Sequence, residues 1–442
     1  MIRCARVVLP TGEEPAAVVI RAGRVAEVRV GPHAQLPADL PLLDLPAPLV
    51  LSPGLVDSHV HIDEPGRTHW EGFASATRAA AAGGVTTLVD MPLNSLPPTT
   101  DVAALAVKRA AAAGQVWVDV AFWGGIATAD TAGVAPLADA GVCGLKVFLA
   151  PSGVPEFGAL DADGLRGALA ATAAAGVPLV VHAEAPGPLA LAPAPRGRRY
   201  VDYLASRPPE AELEALRWVT AAAAATRGHV HVLHLSAAAG LAALAAAHAG
   251  GAHVTAETCP HYLSLAAEEI LDGGVTAKCA PPVREAANRE ALWDGLQAGL
   301  LAGVVSDHSP APPEIKSLDT GDLGTAWGGI SGLQTQLPVV WTAGQARGAT
   351  PADLARWQSA GPAELAGLPA KGAISVGKDA DLVAWDPDAS FVVDPALLLH
   401  RHALSPWAGR TLRGVVHTTW LRGVAVDVAG PPRGRLLGRA DR

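Results

Sequence analysis

The chain has too few cysteines for a disulfide framework. Its 442 residues carry Cys4, Cys143, Cys259 and Cys279 and no C-x-x-C pair, the pattern of a reducing compartment, so a cytoplasmic setting is expected. It also lacks any run of about 20 strong hydrophobes, the length a bilayer demands. The alanine-rich stretches, such as 237–250, are only weakly apolar and are broken by Gly and His, so no membrane span is expected. The opening MIRCARVVLPTGEEPAAVVI alternates like a strand and has no charged-then-apolar secretory layout. Positive charge is scarce: 33 Lys+Arg stand against 42 Asp+Glu, a net charge of −9. That balance argues against nucleic acid or an anionic membrane as the main partner. Only Lys108, Lys146, Lys278, Lys316, Lys371 and Lys378 are lysines. No G-x-G-x-x-G or Walker A turn follows the first strand candidate, which weakens a nucleotide-binding reading.

What is present is hydrophobicity, at 50% of residues with 17% charged, enough for a large core. Apolar, β-rich runs recur at Gly54–His59, Val85–Met91, Val116–Trp123, Val142–Leu149, Pro178–Glu184, His229–Ser236, Ala252–Thr258 and Gly303–Asp307. Helix-compatible segments separate them, among them Trp70–Ala82, Val102–Ala113, Asp163–Ala175, Glu210–Ala225, Ala238–Ala249 and Arg284–Leu301. Eight strands alternating with helices predict an α/β fold, a (β/α)8 TIM-like barrel, with a doubly wound sheet as the competing architecture. Short strands at both ends, with a proline-rich stretch from Leu36 to Pro53, predict a small β-sandwich domain built jointly by the termini. The expected division is 1–52 and 371–442 for that domain and 53–370 for the barrel.

The chemistry gathers at the ends of the strands. The first barrel strand closes on His59-Val60-His61, and residues i and i+2 of a strand face the same way, so the two imidazoles can grip one metal. Lys146, His182, His234 and Asp307 fall near the ends of the fourth, fifth, sixth and eighth runs, on the face where barrel enzymes place catalysis. Lys146 cannot bind a cation as an ammonium. Burial in the apolar strand GLKVFL lowers a lysine's pKa, and a neutral amine can add carbon dioxide to give a carbamate, an anionic oxygen ligand able to bridge two metals. The alternative is a lysine salt-bridged at the barrel mouth.

Several stretches carry a resemblance: GLVDSHVHIDEPGRTHWEGF (54–73), GGVTTLVDMPLNSLPPTT (83–100), GLKVFL (144–149), VHAE (181–184), LHLS (233–236), ETCPHYL (257–263), KCAPPVR (278–284), SDHSP (306–310) and AWGGISGLQ (326–334). On these, over nearly its whole length, the chain resembles the cyclic amidohydrolases of the amidohydrolase superfamily. EPGRTHWEGF and AWGGISGLQ favour the allantoinase branch. The resemblance implies metal-dependent hydrolysis of the cyclic amide of allantoin to allantoate, in purine catabolism, by a bridging hydroxide in a binuclear centre. His59, His61, Lys146 and Asp307 would hold one ion. Lys146, as carbamate, would bridge to a second ion held by His182 and His234, zinc being the expected metal. Asp307 would shuttle the proton. Arg67, Asn94 and Ser309 are candidate substrate contacts, and a homotetramer is expected from the family.

Other groups read as ordinary: His261 and His308 as supporting residues, His69, His229, His231 and His253 as surface or packing residues, and Cys279 as a buried thiol. Departures from neighbouring branches bear on the substrate. Dihydroorotases carry Arg two residues after H-x-H to hold a carboxylate; Asp63 stands there and is expected to repel one. Hydantoinases and dihydropyrimidinases, the alternative branch, usually have Tyr a few residues past the lysine and Ser before the paired prolines. This chain has no such Tyr through Ser152, and has Ala280 before the prolines. A non-catalytic scaffold on the same fold would have lost metal ligands, whereas all six candidate positions are retained.

Overall fold

The architecture follows from where each run of apolar residues finds cover. In the computed structural model, which describes residues 1–32, 37 and 40–441, the barrel strands are Leu55–Val60, Val85–Asp90, Asp119–Phe122, Leu145–Phe148, Leu179–His182, Val230–Val232, Val254–Thr258 and Gly303–Val304. All pair in parallel. Parallel strands covered on both faces read as near-continuous apolar runs, and nearly every residue in these eight is buried. Gly124–Gly125 prolongs the third strand and pairs with the fourth. A parallel bridge between Val60 and His308 joins the eighth strand to the first.

The helices between strands are alanine-rich, and alanine is both the best helix former and small enough for close approach. Phe73–Ala82 buries Phe73, Ala76, Thr77 and Ala79 to Ala81 against the barrel. Ala162–Ala175 starts on Asp161, whose carboxylate accepts from Gly164 N at 2.8 Å, and stops on Gly176 at φ 70°, a common helix ending.

Both termini build one eight-stranded sheet. Its order runs Val424–Ala425, Thr411–Leu421, Leu382–Val392, Val50–Pro53, Ile2–Leu9, Gly12–Arg21, Arg24–Val30, with Leu43–Asp44 also pairing Ile2–Leu9. The two halves meet where Val50–Pro53 runs antiparallel to Leu382–Trp385. Val50–Pro53 passes through Gly54 directly into the first barrel strand, so the sheet and the His59–His61 pair share one stretch of backbone. A polar latch lies alongside: Lys371 Nζ reaches Asp119 of the third barrel strand and Asp381 of the sheet segment, at 2.6 Å each. Part of the proline-rich stretch beginning at Leu36 lies outside the described residues.

Some elements differ from the expectation. The third strand begins at Asp119 rather than Val116, and the eighth is only Gly303–Val304, so Asp307 lies beyond it, in the left-handed region at φ 44°. The run expected as helix at Arg284–Leu301 is helical over Ala286–Gln297. Among the described residues, no helix is long and apolar enough to cross a membrane.

Candidate active site

The mouth of the barrel opens into a cavity of about 690 Å³ lined by His59, His61, Lys146, His182, His234 and Asp307, together with Asn94 and Ser309. Their sequence positions span 59 to 309, and the strand ends bring them to one point. His59 Nε2 lies 3.2 Å and His61 Nε2 3.7 Å from Asp307 Oδ1. The His59 ring is 5.3 Å from that of His234, and His182 packs edge-on to His234 at 4.8 Å.

Hydrogen bonds decide which ring nitrogens are available. His61 Nδ1 faces the Leu93 carbonyl at 2.8 Å; a carbonyl only accepts, so the proton is on Nδ1 and Nε2 presents its lone pair. His59 Nδ1 lies 2.7 Å from Glu257 Oε1, which as a carboxylate accepts in the same way. His59 Nε2 then meets no hydrogen-bond partner and points toward Asp307. Nitrogens from both rings and a carboxylate oxygen of Asp307 can lie within 4.8 Å of one another. An imidazole whose remote nitrogen is anchored on an oxygen is how metal-binding histidines are oriented, so the donor set fits a divalent cation.

The second group repeats the logic. His182 Nε2 contacts Glu184 Oε2 at 2.8 Å, while its Nδ1 faces His234 Nε2 at 3.0 Å. With the His182 proton spent on Glu184, the Nδ1 lone pair turns to the His234 ring. Burial opposes ionisation of Glu184, yet Arg207 and His182 outweigh it and hold the carboxyl at about 2. Burial, helped by the neighbouring positive groups, keeps His59, His61 and His234 well below the usual imidazole range. Neutral imidazole is the form that binds a metal.

Lys146 is 1% exposed. Its Nζ lies over the Phe148 ring at 4.7 Å, and among the described residues no carboxylate comes within ion-pair distance. Burial pushes its ammonium downward, against the pull of Asp307 and Glu257. Burial pushes the Asp307 carboxyl upward.

The three expected substrate contacts are placed differently from one another. Asn94 and Ser309 line the cavity. Asn94 Nδ2 donates to Asp63 Oδ1 at 3.1 Å, and Ser309 Oγ donates to the Asp307 carbonyl at 2.8 Å. Arg67 is turned to Glu156 and the Asn94 carbonyl and does not line the cavity. Asp63 is buried behind Asn94, and burial raises its carboxyl well above the usual range. The expectation that its charge meets the substrate directly is therefore corrected: it reaches the pocket only through the Asn94 amide.

Sequence reasoning passed over Glu257, Glu184 and Asp57. Glu257 also lies 3.1 Å from His231, which is buried, the packing side of the expectation for it. Asp57 accepts from the His59 and Ser306 amides and from Gln336 Nε2 at 3.1 to 3.3 Å, tying the first strand to the chain just before Asp307. Glu257 stands two residues before Cys259 inside a motif already singled out, and Glu184 two residues after His182. For Glu184 and Asp57, each two residues from a candidate ligand histidine, that spacing was the available signal; Glu257 offered none beyond its motif. His308 is buried against Glu71 at 3.3 Å, in the supporting role expected of it.

Comparison with known proteins bears on the family and the fold. The family described as "Amidohydrolase family" matches residues 50–426. A Streptomyces avermitilis protein named Allantoinase is 52% identical, covering 99% of this chain and 98% of its own length. The Allantoinase of Arabidopsis thaliana is 42% identical over 95% of this chain and 86% of its own. Among solved structures, the L-hydantoinase (dihydropyrimidinase) from Arthrobacter aurescens superposes with a TM-score of 0.91 at 30% identity, covering 99% of both chains. A histidine pair at the first strand end, imidazoles from the fifth and sixth strand ends and an aspartate past the eighth are thus set in a fold and sequence held in common with these proteins, and the chain belongs to the amidohydrolase family.

Proposed function

We propose that this chain hydrolyses the ring amide of allantoin to allantoate. The observation that carries the reading is the convergence of two oriented imidazoles on Asp307 at the floor of the cavity, in a chain 52% identical to a protein named Allantoinase. His59, His61 and Asp307 would hold one divalent ion, His182 and His234 a second, and Lys146, as its carbamate, would join the two. Zinc suits imidazole and carboxylate donors. When bound, such ions polarise a carbonyl and lower the pKa of water toward neutrality.

The chain's own part is to orient and to move a proton. Glu257 and the Leu93 carbonyl fix the faces of His59 and His61. Asp307 takes a proton from the attacking water and gives it to the leaving ring nitrogen. The C–N bond breaks, the nitrogen leaves as an NH2 carrying the proton from Asp307, and the carbon keeps the water oxygen as a carboxylate, its remaining proton passing to solvent. Lys146 supports the carbamate assignment by its burial and by the lack of a carboxylate ion-pair partner among the described residues. Four buried cysteines outside any disulfide suit a cytoplasmic setting, and the family resemblance adds an assembly of four copies.

The test is to assay allantoin, hydantoin, dihydrouracil and dihydroorotate side by side on metal-loaded protein, with bound metal measured in the same preparation. Allantoin should be opened with a kcat/KM at least about 100-fold above that of dihydroorotate, a gap of ~2.7 kcal/mol in transition-state binding. Preference for hydantoin or dihydrouracil would move the chain to the hydantoinase branch, whose fold it shares. Protein without metal and without turnover would point to a scaffold.

A further inference from the structure

Beyond the proposed metal site, Lys108, Arg284 and Lys371 are buried on carboxylates, whereas two further buried cations that the reaction does not use are not. Lys316 is 2% and Lys278 9% exposed, and among the described residues neither has a carboxylate within ion-pair distance. Both are instead spent on one piece of backbone. Lys278 Nζ donates to the Ala326 carbonyl at 2.5 Å. Lys316 Nζ donates to the carbonyls of Trp327 at 3.2 Å and Gly329 at 2.5 Å. The segment is fastened further: Gly329 N donates to the Lys278 carbonyl and Trp327 N to the Ile315 carbonyl, at 2.7 Å each. Burying an ammonium is costly unless its hydrogen bonds are met, and charge-assisted bonds to carbonyls are the strong kind. Two such groups on one loop therefore fix its backbone far more firmly than an ordinary loop on a barrel face.

That backbone is a wall of the active-site cavity, which Lys278 and residues 324–329 line together. The clamp has three consequences. Trp327 is held edge-on to Trp70 at 5.0 Å. Gly329, at φ 144°, lies so close to Ser309 that a Cβ would fall 2.0 Å from the Ser309 carbonyl. And Gly328 keeps an N–H that meets no acceptor among the described residues, between carbonyls already claimed by the lysines.

We propose that Lys278 and Lys316 are positioning residues for substrate recognition: they hold the 326–329 backbone so that the Trp327 ring and the Gly328 N–H meet the carbonyl-bearing arm of the substrate that is not hydrolysed. This rests on the proposed reading of the site, since the arm in question is the ureido group of allantoin. Hydantoin has the same ring without that arm.

The experiment compares Lys316→Met and Lys278→Met with the parent chain, metal-loaded, on allantoin and on hydantoin. Methionine keeps the apolar stem and removes the three donors. Each variant should bind as much metal as the parent and raise KM for allantoin about tenfold or more with kcat within about threefold, the pattern of lost uniform binding. Hydantoin parameters should move by less than about threefold. Unchanged KM for allantoin in both variants overturns the proposal, as does a fall in kcat accompanied by loss of metal. If the parent does not open allantoin, the functional reading fails separately; the positioning role is then read on a 5-substituted hydantoin that the parent does open, where an unchanged KM overturns it. If the methionine variants do not fold, Trp327→Leu, at a partly exposed position, carries the test: the same rise in KM supports the ring's contact with the arm, and an unchanged KM overturns the proposal.

Discussion

Asp307 lies past the eighth strand in a left-handed conformation, its Oδ1 facing Nε2 of both His59 and His61, and in the proposed reaction it is the group that trades a proton with the substrate. Asp307→Asn keeps an oxygen for a metal but cannot accept a proton. Turnover should fall by about 10² or more while part of the metal stays bound; kcat and metal content measured together decide it. Lys146→Ala should lose metal and activity together, and short carboxylic acids added to the assay should restore part of both, because their oxygens can stand where the carbamate's would. Glu257 acts one step back. In Glu257→Gln the amide can present its N–H to His59 Nδ1 and turn the proton to the wrong ring nitrogen, so metal affinity should drop about 10- to 100-fold, read by competition with a chelator. These three residues were unequally legible. Asp307 and Lys146 stand out because an ionisable group at the end of an apolar run has no packing reason to be there. Glu257 is 198 residues from His59, and no periodicity reaches across that distance.

At the scale of elements, strands were easier to read than their ends. Val85–Asp90 and Leu179–His182 fall within the expected runs because continuous apolarity reports burial on both faces. The eighth strand stops three residues earlier than its apolar run: Val305 N still donates to the Thr258 carbonyl of the seventh strand, but the Ser306 amide turns to Asp57, and both residues stay buried. Burial continues where hydrogen-bond register does not, and sequence reports only the former. Short helices such as Val134–Asp139 were missed for the opposite reason: they are too brief to show a period. Gly144 gives a test of the fourth strand. A Cβ there would lie 2.4 Å from the Pro178 carbonyl and 2.7 Å from the Trp123 ring. Gly144→Ala should therefore cost about 1–3 kcal/mol, the scale of overpacking, seen as a lower Tm. Because the strand carries Lys146, it should also lower metal occupancy, whereas Gly167→Ala, in open space on a helix, should do neither.

For the whole molecule the question is what joins the terminal sheet to the barrel. Lys371, 4% exposed, is shared by Asp119 of the barrel and Asp379 and Asp381 of the sheet segment. Lys371→Met leaves Asp381 buried without its cation, while Asp119 keeps Arg422 at 2.6 Å, a loss of about 3–5 kcal/mol by analogy with broken buried pairs. Thermal unfolding of the variant should start at a lower temperature, while kcat on protein still folded and metal-loaded should stay close to the parent value. The sheet has a further consequence, for synthesis. Val50–Pro53 is paired on one side by Ile2–Leu9, made almost at once, and on the other by Leu382–Trp385, made about three hundred residues later. At ribosomal speeds of ~5–20 residues per second, that edge waits on the order of 15–60 s with its amides and carbonyls unpaired. An open, apolar strand edge invites pairing with another chain, so a nascent polypeptide stalled before residue 382 should aggregate or recruit a chaperone far more readily than one released after Leu421.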